Sequence, residues 1–331
     1  MATATQPSAA QPNPLTELNN PAHSAIAPLE STVLERWHLL SLDAPTVAAL
    51  WTWFLATASH LRLPLSATAA MAVAVWTLYA ADRLLDSRPS NFAPGAHHAP
   101  HDLEPRHIFH HHHRRAFRIT LLLASGALAA LLPNLAPEAI RLYLILGALL
   151  LAYFVVIHIP SDPNRTTQRM PKELAVGVFF SAATFIPTVA RQPGLRRELL
   201  PAALLFALLC SLNCLFIYAW EHPRQPGHPR HWAPGESPHP ATALALRFLR
   251  PLTLLTAITA SLLALSKCLP TAVSTQAYLP APPSPICFAI ATAALLLLLL
   301  DHFRTRFAPT SLRAAADLCL LTPILLLPFL R

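Results

Sequence analysis

The sequence predicts an all-α fold, a polytopic membrane helix bundle with about nine transmembrane helices. Composition points there first: 54% of the 331 residues are hydrophobic and only 12% are charged, where a soluble domain carries about 25% charged residues. Mean hydropathy is +0.43. Patterning points there again, because the apolar residues fall in blocks of about 18 to 25, the length that crosses a ~30 Å hydrocarbon core at 1.5 Å per residue. The chain has seven glycines. No GxGxxG or GxxxxGK can be drawn through them, which excludes the dinucleotide-binding fingerprint and the P-loop.

Residues 1–30 have neither a basic start nor an apolar core, so they do not form a signal peptide and read as a disordered Ala/Pro/Asn-rich tail. The stretch STVLERWHLLSLD at 31–43 puts Leu34, Trp37 and Leu40 at helical spacing, the pattern of an amphipathic helix on a membrane surface. Residues 1–43 thus form an N-terminal tail with an interfacial helix, and 44–331 the membrane domain. Nine spans are expected at 44–61, 64–85, 116–133, 138–159, 172–190, 198–220, 242–266, 284–301 and 310–330. Two long Pro- and His-rich connections, 87–115 and 221–241, have no composition for a packed domain. The five cysteines, Cys210, Cys214, Cys268, Cys287 and Cys319, are scattered without a CxxC pair and read as small packing residues.

Charge sets the expected orientation. With the N-terminus inside, the tail, the loops after spans two, four, six and eight and their flanks carry 17 of the 24 Lys and Arg residues, against 7 on the other face. This is a positive-inside bias, and it places a multi-pass protein in an inner (plasma) membrane with a cytosolic N-terminus. The net charge of +8 is accounted for by topology and basic loops facing anionic lipid, so no nucleic-acid partner is needed.

The second span closes on YAADRLLDSR. Asp82 and Asp86 stand one helical turn apart on one face, where like charges repel and the helix C-terminus disfavours anions. Either arginines such as Arg83 and Arg88 compensate them, or a divalent metal does; Mg²⁺ takes one or two carboxylates with phosphate oxygens and water. Span six closes similarly, with Asn213 inside it and Glu221 at the same expected membrane face. Arg247 and Arg250 lie in the first turns of span seven and Asp317 lies inside span nine; charges inside a membrane mark sites unless paired.

An Asp-rich motif ending helix two and another ending helix six resemble the UbiA-type intramembrane prenyltransferases. The family's first motif reads N-D-x-x-D-x-x-x-D; here Leu78 and Tyr79 stand at the leading pair, and Asp82 and Asp86 match the last two acids. The second, N-x-x-x-D-x-x-x-D, is met by Asn213 and Glu221, with Ile217 in the middle position. A Tyr-x-x-x-Lys at the end of helix four becomes Tyr153 with Ile157, followed by His158. The resemblance implies that Asp82, Asp86 and Glu221 are catalytic and hold Mg²⁺. It further implies that Tyr79, Asn213, Arg165, Arg169, Lys172 and Arg247 bind substrate. The reaction would transfer an isoprenyl group from its diphosphate to a lipophilic acceptor, with the bilayer as solvent.

Two alternatives stand beside it. The incomplete motifs also fit a non-catalytic UbiA-like membrane protein. The loop HHAPHDLEPRHIFHHHH at 97–113 contains one H-x-x-H-H, at His107, His110 and His111, as in membrane di-iron oxidases, whose imidazoles suit iron.

Overall fold

The computed structural model describes residues 33–86, 105–158, 171–222, 239–266 and 281–330. The expected tail, Arg165, Arg169, and most of the two long loops lie outside the described residues, as do the side chains of Asp86 and His107. Thirteen α-helices are described and no strand. In order they are α1 (Val33–Leu39), α2 (Asp43–Ala58), α3 (Leu65–Asp86), α4 (Pro105–His112), α5 (Arg114–Leu131), α6 (Pro137–His158) and α7 (Lys172–Arg191). Then follow α8 (Leu195–Glu221), α9 (Pro240–Arg247), α10 (Leu249–Leu265), α11 (Ser284–Phe303), α12 (Pro309–Cys319) and α13 (Pro323–Leu326). Proline opens many of them: α6, α9, α11, α12 and α13 all carry one at their first or second position, where the missing N–H has no intrahelical partner to lose.

Six helices are long and apolar enough to cross a membrane, and up to eight if each of two bent pairs is one span. The chain is therefore an all-helical protein with the build of a membrane protein, and the expected count of nine is not reached among the described residues. Two of the expected spans are broken, each next to a proline, and the first is continuous but sharply bent from the short helix before it. The expected first span is the second arm of a pair, α1 and α2, bent by 89°. Pro45 sits in the first turn of α2, where its ring blocks the carbonyl four residues back, that of Ser41, from continuing a helix. Expected span seven splits into α9 and α10, bent by 73°, and Pro251 stands in the same relation to Arg247. Expected span nine is the eleven-residue α12, then α13, then a 3₁₀ turn Leu327–Leu330. Pro323 and Pro328 forbid a continuous helix there. The expected loop 87–115 also carries structure at its end: α4 packs on α3, with Phe109, His110 and Phe117 in mutual ring contact.

Helix α8 runs through the centre, flanked by α7, α10, α11 and α12, with α2 closing the core. Trp51, Phe54, Phe206, Leu209, Ile290 and Leu297 are fully buried there. The Trp51 indole N–H donates to the Leu320 carbonyl at 2.7 Å and ties α2 to the turn after α12. Gly177 lets α7 and α8 meet closely. Helices α5 and α6 form the rim. Leu122, Leu123, Leu144 and Leu151 point outward at 65–73% exposure, an apolar surface no soluble monomer sustains and one suited to lipid.

Side-chain contacts between helix ends sort the connections into two ends. The start of α2, the ends of α3 and α8, the starts of α5, α7 and α12, and the end of α11 share one end. That end collects the buried charged side chains Asp43, Arg83 and Asp301 and is called the polar end below.

Candidate functional site

The α1–α2 corner builds the first part of the site. Ser41 takes a left-handed conformation, φ 58°, and backbone bonds Ser41 N–H to His38 O and Leu42 N–H to Trp37 O close the turn. The expected surface helix is thereby turned into the protein: its buried residue is His38, and its Glu35 accepts from Ser311 of α12. His38 Nδ1 lies 2.7 Å from Asp43 Oδ2, and Asp43 is fully buried. The other Asp43 oxygen accepts from the Ala44 N–H at 3.0 Å. As the first residue of α2, Asp43 also gains from the positive end of that helix. Behind the corner, Ser41 Oγ and His110 Nε2 are 3.3 Å apart.

Helix α3 contributes Tyr79 and Arg83, one turn apart. The Arg83 guanidinium lies over the Tyr79 ring at 4.6 Å and its NH2 is 3.8 Å from Asp43 Oδ2. Arg83 is 4% exposed, yet neither terminal nitrogen has a hydrogen-bond partner. A buried guanidinium whose terminal nitrogens make no hydrogen bond is an unusual and costly arrangement. From the opposite side, Asn213 of α8 donates Nδ2–H to Asp317 Oδ1 of α12 at 3.0 Å. A carboxylate oxygen of Asp317 lies within 4.8 Å of one of Asp43. The second amide atom, Asn213 Oδ1, is buried without a partner. Five helices thus converge on two facing carboxyls, one imidazole, one unsatisfied arginine and one half-satisfied amide. Among the described residues, His38, Asp43 and Asp317 are the group that could jointly hold a metal ion, their ligand atoms lying within 4.8 Å of one another.

The expected site residues divide around this cluster. Tyr79 and Asn213 are in it. Glu221, at the exposed end of α8, pairs with Arg313 of α12 at 2.8 Å, one turn before Asp317. Asp82 is half-buried on α3 beside Arg83 in sequence. Lys172 and Arg247 are exposed at the starts of α7 and at the end of α9, and the Arg247 guanidinium lies 5.7 Å from the Phe248 ring centre. Tyr153 of α6 packs on Phe179 of α7 at 6.0 Å between ring centres. Of the histidine box, His110 is fully buried against Phe117, 4.2 Å between rings, and faces the α1–α2 corner rather than an open loop.

Three residues of the cluster, His38, Asp43 and Arg83, were not candidates on sequence. Their signal is positional: Asp43 is the acid that opens the first apolar run, and Arg83 is the cation inside the run that closes at Asp86. A second cluster also escaped notice. Asp301, 5% exposed at the end of α11, accepts from the Trp220 indole at 2.9 Å and the Arg250 Nε at 2.7 Å, with Arg304 NH1 at 3.5 Å. Every oxygen there has a protein donor, so it reads as a clamp joining α8, α10 and α11. Compared with family models, with curated proteins and with solved structures, the chain matches none.

Proposed function

We propose that the protein binds the diphosphate head of an isoprenoid at the polar end and transfers the isoprenyl group to a lipophilic acceptor, in the manner of the UbiA-type prenyltransferases it resembles. The observation that supports this reading most is Arg83. A buried, planar guanidinium with two nitrogens free of hydrogen bonds is suited to an anion that accepts through two oxygens, such as a phosphate group. Transfer requires the allylic C–O bond to break with its electron pair going to a diphosphate oxygen, and Arg83 would stabilise that growing charge. Tyr79, stacked on Arg83, holds the guanidinium plane. Arg313 lies one turn from Asp317 and would lend further positive charge at the mouth.

The resemblance also implies Mg²⁺. The hard carboxylate oxygens of Asp82, Asp86 and Glu221 are of the type that ion takes, and when bound it would neutralise the leaving group. A specific observation favours a second reading. The centre of the bundle is filled by Trp51, Phe54, Phe206 and Leu209, which suits a relative that binds a phosphorylated isoprenoid without turning it over.

Purified protein in nanodiscs, given Mg²⁺ and labelled isoprenyl diphosphates of several lengths, separates these readings. Saturable donor binding with diphosphate release is expected. Binding without release in the presence of membrane-lipid acceptors would leave the non-catalytic reading, and no binding at any length would remove both.

The polar end is proposed to face the cytosol of an inner membrane, following the arginine bias. In a cysteine-free background, single cysteines replacing Arg114 and His222 should both resist a membrane-impermeant maleimide applied to intact cells. Cysteines replacing His60 and Gln192, at the opposite end, should be labelled. Reversed labelling would invert the orientation; labelling of Arg114 and His222 from different sides would break the two-ended arrangement.

A further inference from the structure

We infer that His38, Asp43 and Asp317 form a binding site for a divalent transition-metal ion, distinct from the Asp82, Asp86 and Glu221 set that the family resemblance supplies. The argument starts from charge. Carboxylate oxygens of Asp43 and Asp317 lie within 4.8 Å of each other, with Asp43 fully buried, and two bare carboxylates do not sit so close in a buried place without a cation or a shared proton between them. Arg83 offsets one charge only, from 3.8 Å on Asp43. A divalent ion on the two carboxylates and a neutral imidazole would leave the cluster at a net charge of about +1 with Arg83 included. A cluster of that sign accepts an anion, for which the free Arg83 nitrogens are the donors.

Geometry agrees. The three ligand atoms already lie within 4.8 Å of one another. Ligands at ~2.0–2.2 Å from an ion stand up to about 4 Å apart, so small rotamer changes bring them onto one centre. The 2.7 Å contact between His38 Nδ1 and Asp43 Oδ2 is the contact a metal would replace. Independently of the charges, Asn213 supplies an unpaired acceptor. Its Nδ2–H is spent on Asp317 Oδ1, while its Oδ1 is buried, with the residue 5% exposed, and has no partner. A carbonyl-type oxygen held beside the carboxyls without a donor is satisfied by a cation or by a water bound to one. One imidazole nitrogen with two carboxylates and an amide oxygen suits Mn²⁺, Fe²⁺ or Zn²⁺; Mg²⁺ prefers oxygen alone.

The site does not require the isoprenoid reading, and its test needs no donor. Full-length protein in detergent is stripped with chelator, then titrated with Mn²⁺ alone and followed by electron paramagnetic resonance. One Mn²⁺ per chain is expected, with a coupling to an imidazole nitrogen that needs no variant to read. Asp317→Asn and His38→Gln should each weaken binding at least tenfold, and His38→Gln should abolish the nitrogen coupling. Glu138→Gln, at the opposite end of the bundle where it pairs with Arg196, should bind Mn²⁺ as the wild type does. Failure to bind Mn²⁺ stoichiometrically would overturn the site and leave a carboxyl pair sharing a proton. Binding without nitrogen coupling, lost in Glu221→Gln but kept in His38→Gln, would also overturn it and move the metal to the acids at the helix ends. Either failure leaves isoprenyl diphosphate binding, measured separately, free to succeed.

Discussion

Arg83→Met is expected to abolish isoprenyl diphosphate binding while leaving the fold intact. Each charge-assisted hydrogen bond contributes roughly 1.5–3 kcal/mol, so losing two partners for one phosphate should weaken binding by at least a hundredfold. Without ligand the same change should also lower the melting temperature, because it leaves the buried Asp43 without its counter-charge at 3.8 Å, and breaking a buried pair from one side costs about 3–5 kcal/mol. Arg83→Lys keeps the charge but loses the fork, so it should recover only part of the affinity. The measurements are donor binding and thermal melting in detergent for wild type and both variants. If Arg83→Met bound donor within twofold of wild type, Arg83 would be reduced to a counter-charge for Asp43. If it failed to fold, the Asp43 ion pair at 3.8 Å would be the structural element instead.

Gly177→Val should produce the largest loss of stability among substitutions in the apolar part of the bundle. A Cβ at Gly177 would overlap both Ser211 Oγ and the Ala207 carbonyl oxygen and come within 2.9 Å of Ser211 N. Two of those three atoms are the backbone of α8, which cannot swing aside as a side chain does. Overpacking a tight core costs about 1–3 kcal/mol, and here the relief route is separation of α7 from α8. Separation would also pull apart the Ser181 hydroxyl, which donates across the pair to the Ala203 carbonyl at 2.7 Å. Gly177→Ala tests the point more finely. Adding Ser211→Ala removes the clashing hydroxyl but leaves the carbonyl, so the double variant should recover only part of the lost melting temperature. Full recovery would show that the hydroxyl alone sets the approach; a wild-type melting temperature in Gly177→Ala would show that the helices have room to part.

How far the site was legible can be judged residue by residue. The apolar blocks marked helices α3, α5, α6, α7, α8 and α11 within a few residues, because a segment that must bury every backbone N–H and C=O in hydrocarbon is helical whatever its neighbours do. Asn213 was legible as a site candidate because it stands inside an apolar run next to a charged helix end, and Tyr79 only through the motif resemblance. Three things were not legible. The breaks before Pro251 and Pro323 depend on whether a neighbour can satisfy the freed carbonyls, and a tolerated kink reads the same as a full stop in one dimension. The inward turn of His38 depends on Ser41 adopting φ 58°, a choice made by docking α1 on α12, while the Leu34, Trp37 and Leu40 stripe taken alone describes a helix lying on a membrane. Finally, Asp43 and Asp317 are 274 positions apart. Each alone is one acid at the edge of an apolar segment, and only packing α2 and α12 against the end of α8 sets the two carboxyls face to face beneath Arg83. Backbone hydrogen bonding is local, so sequence determined the helices; charge pairing is a property of neighbours in space, so tertiary structure decided which acids matter.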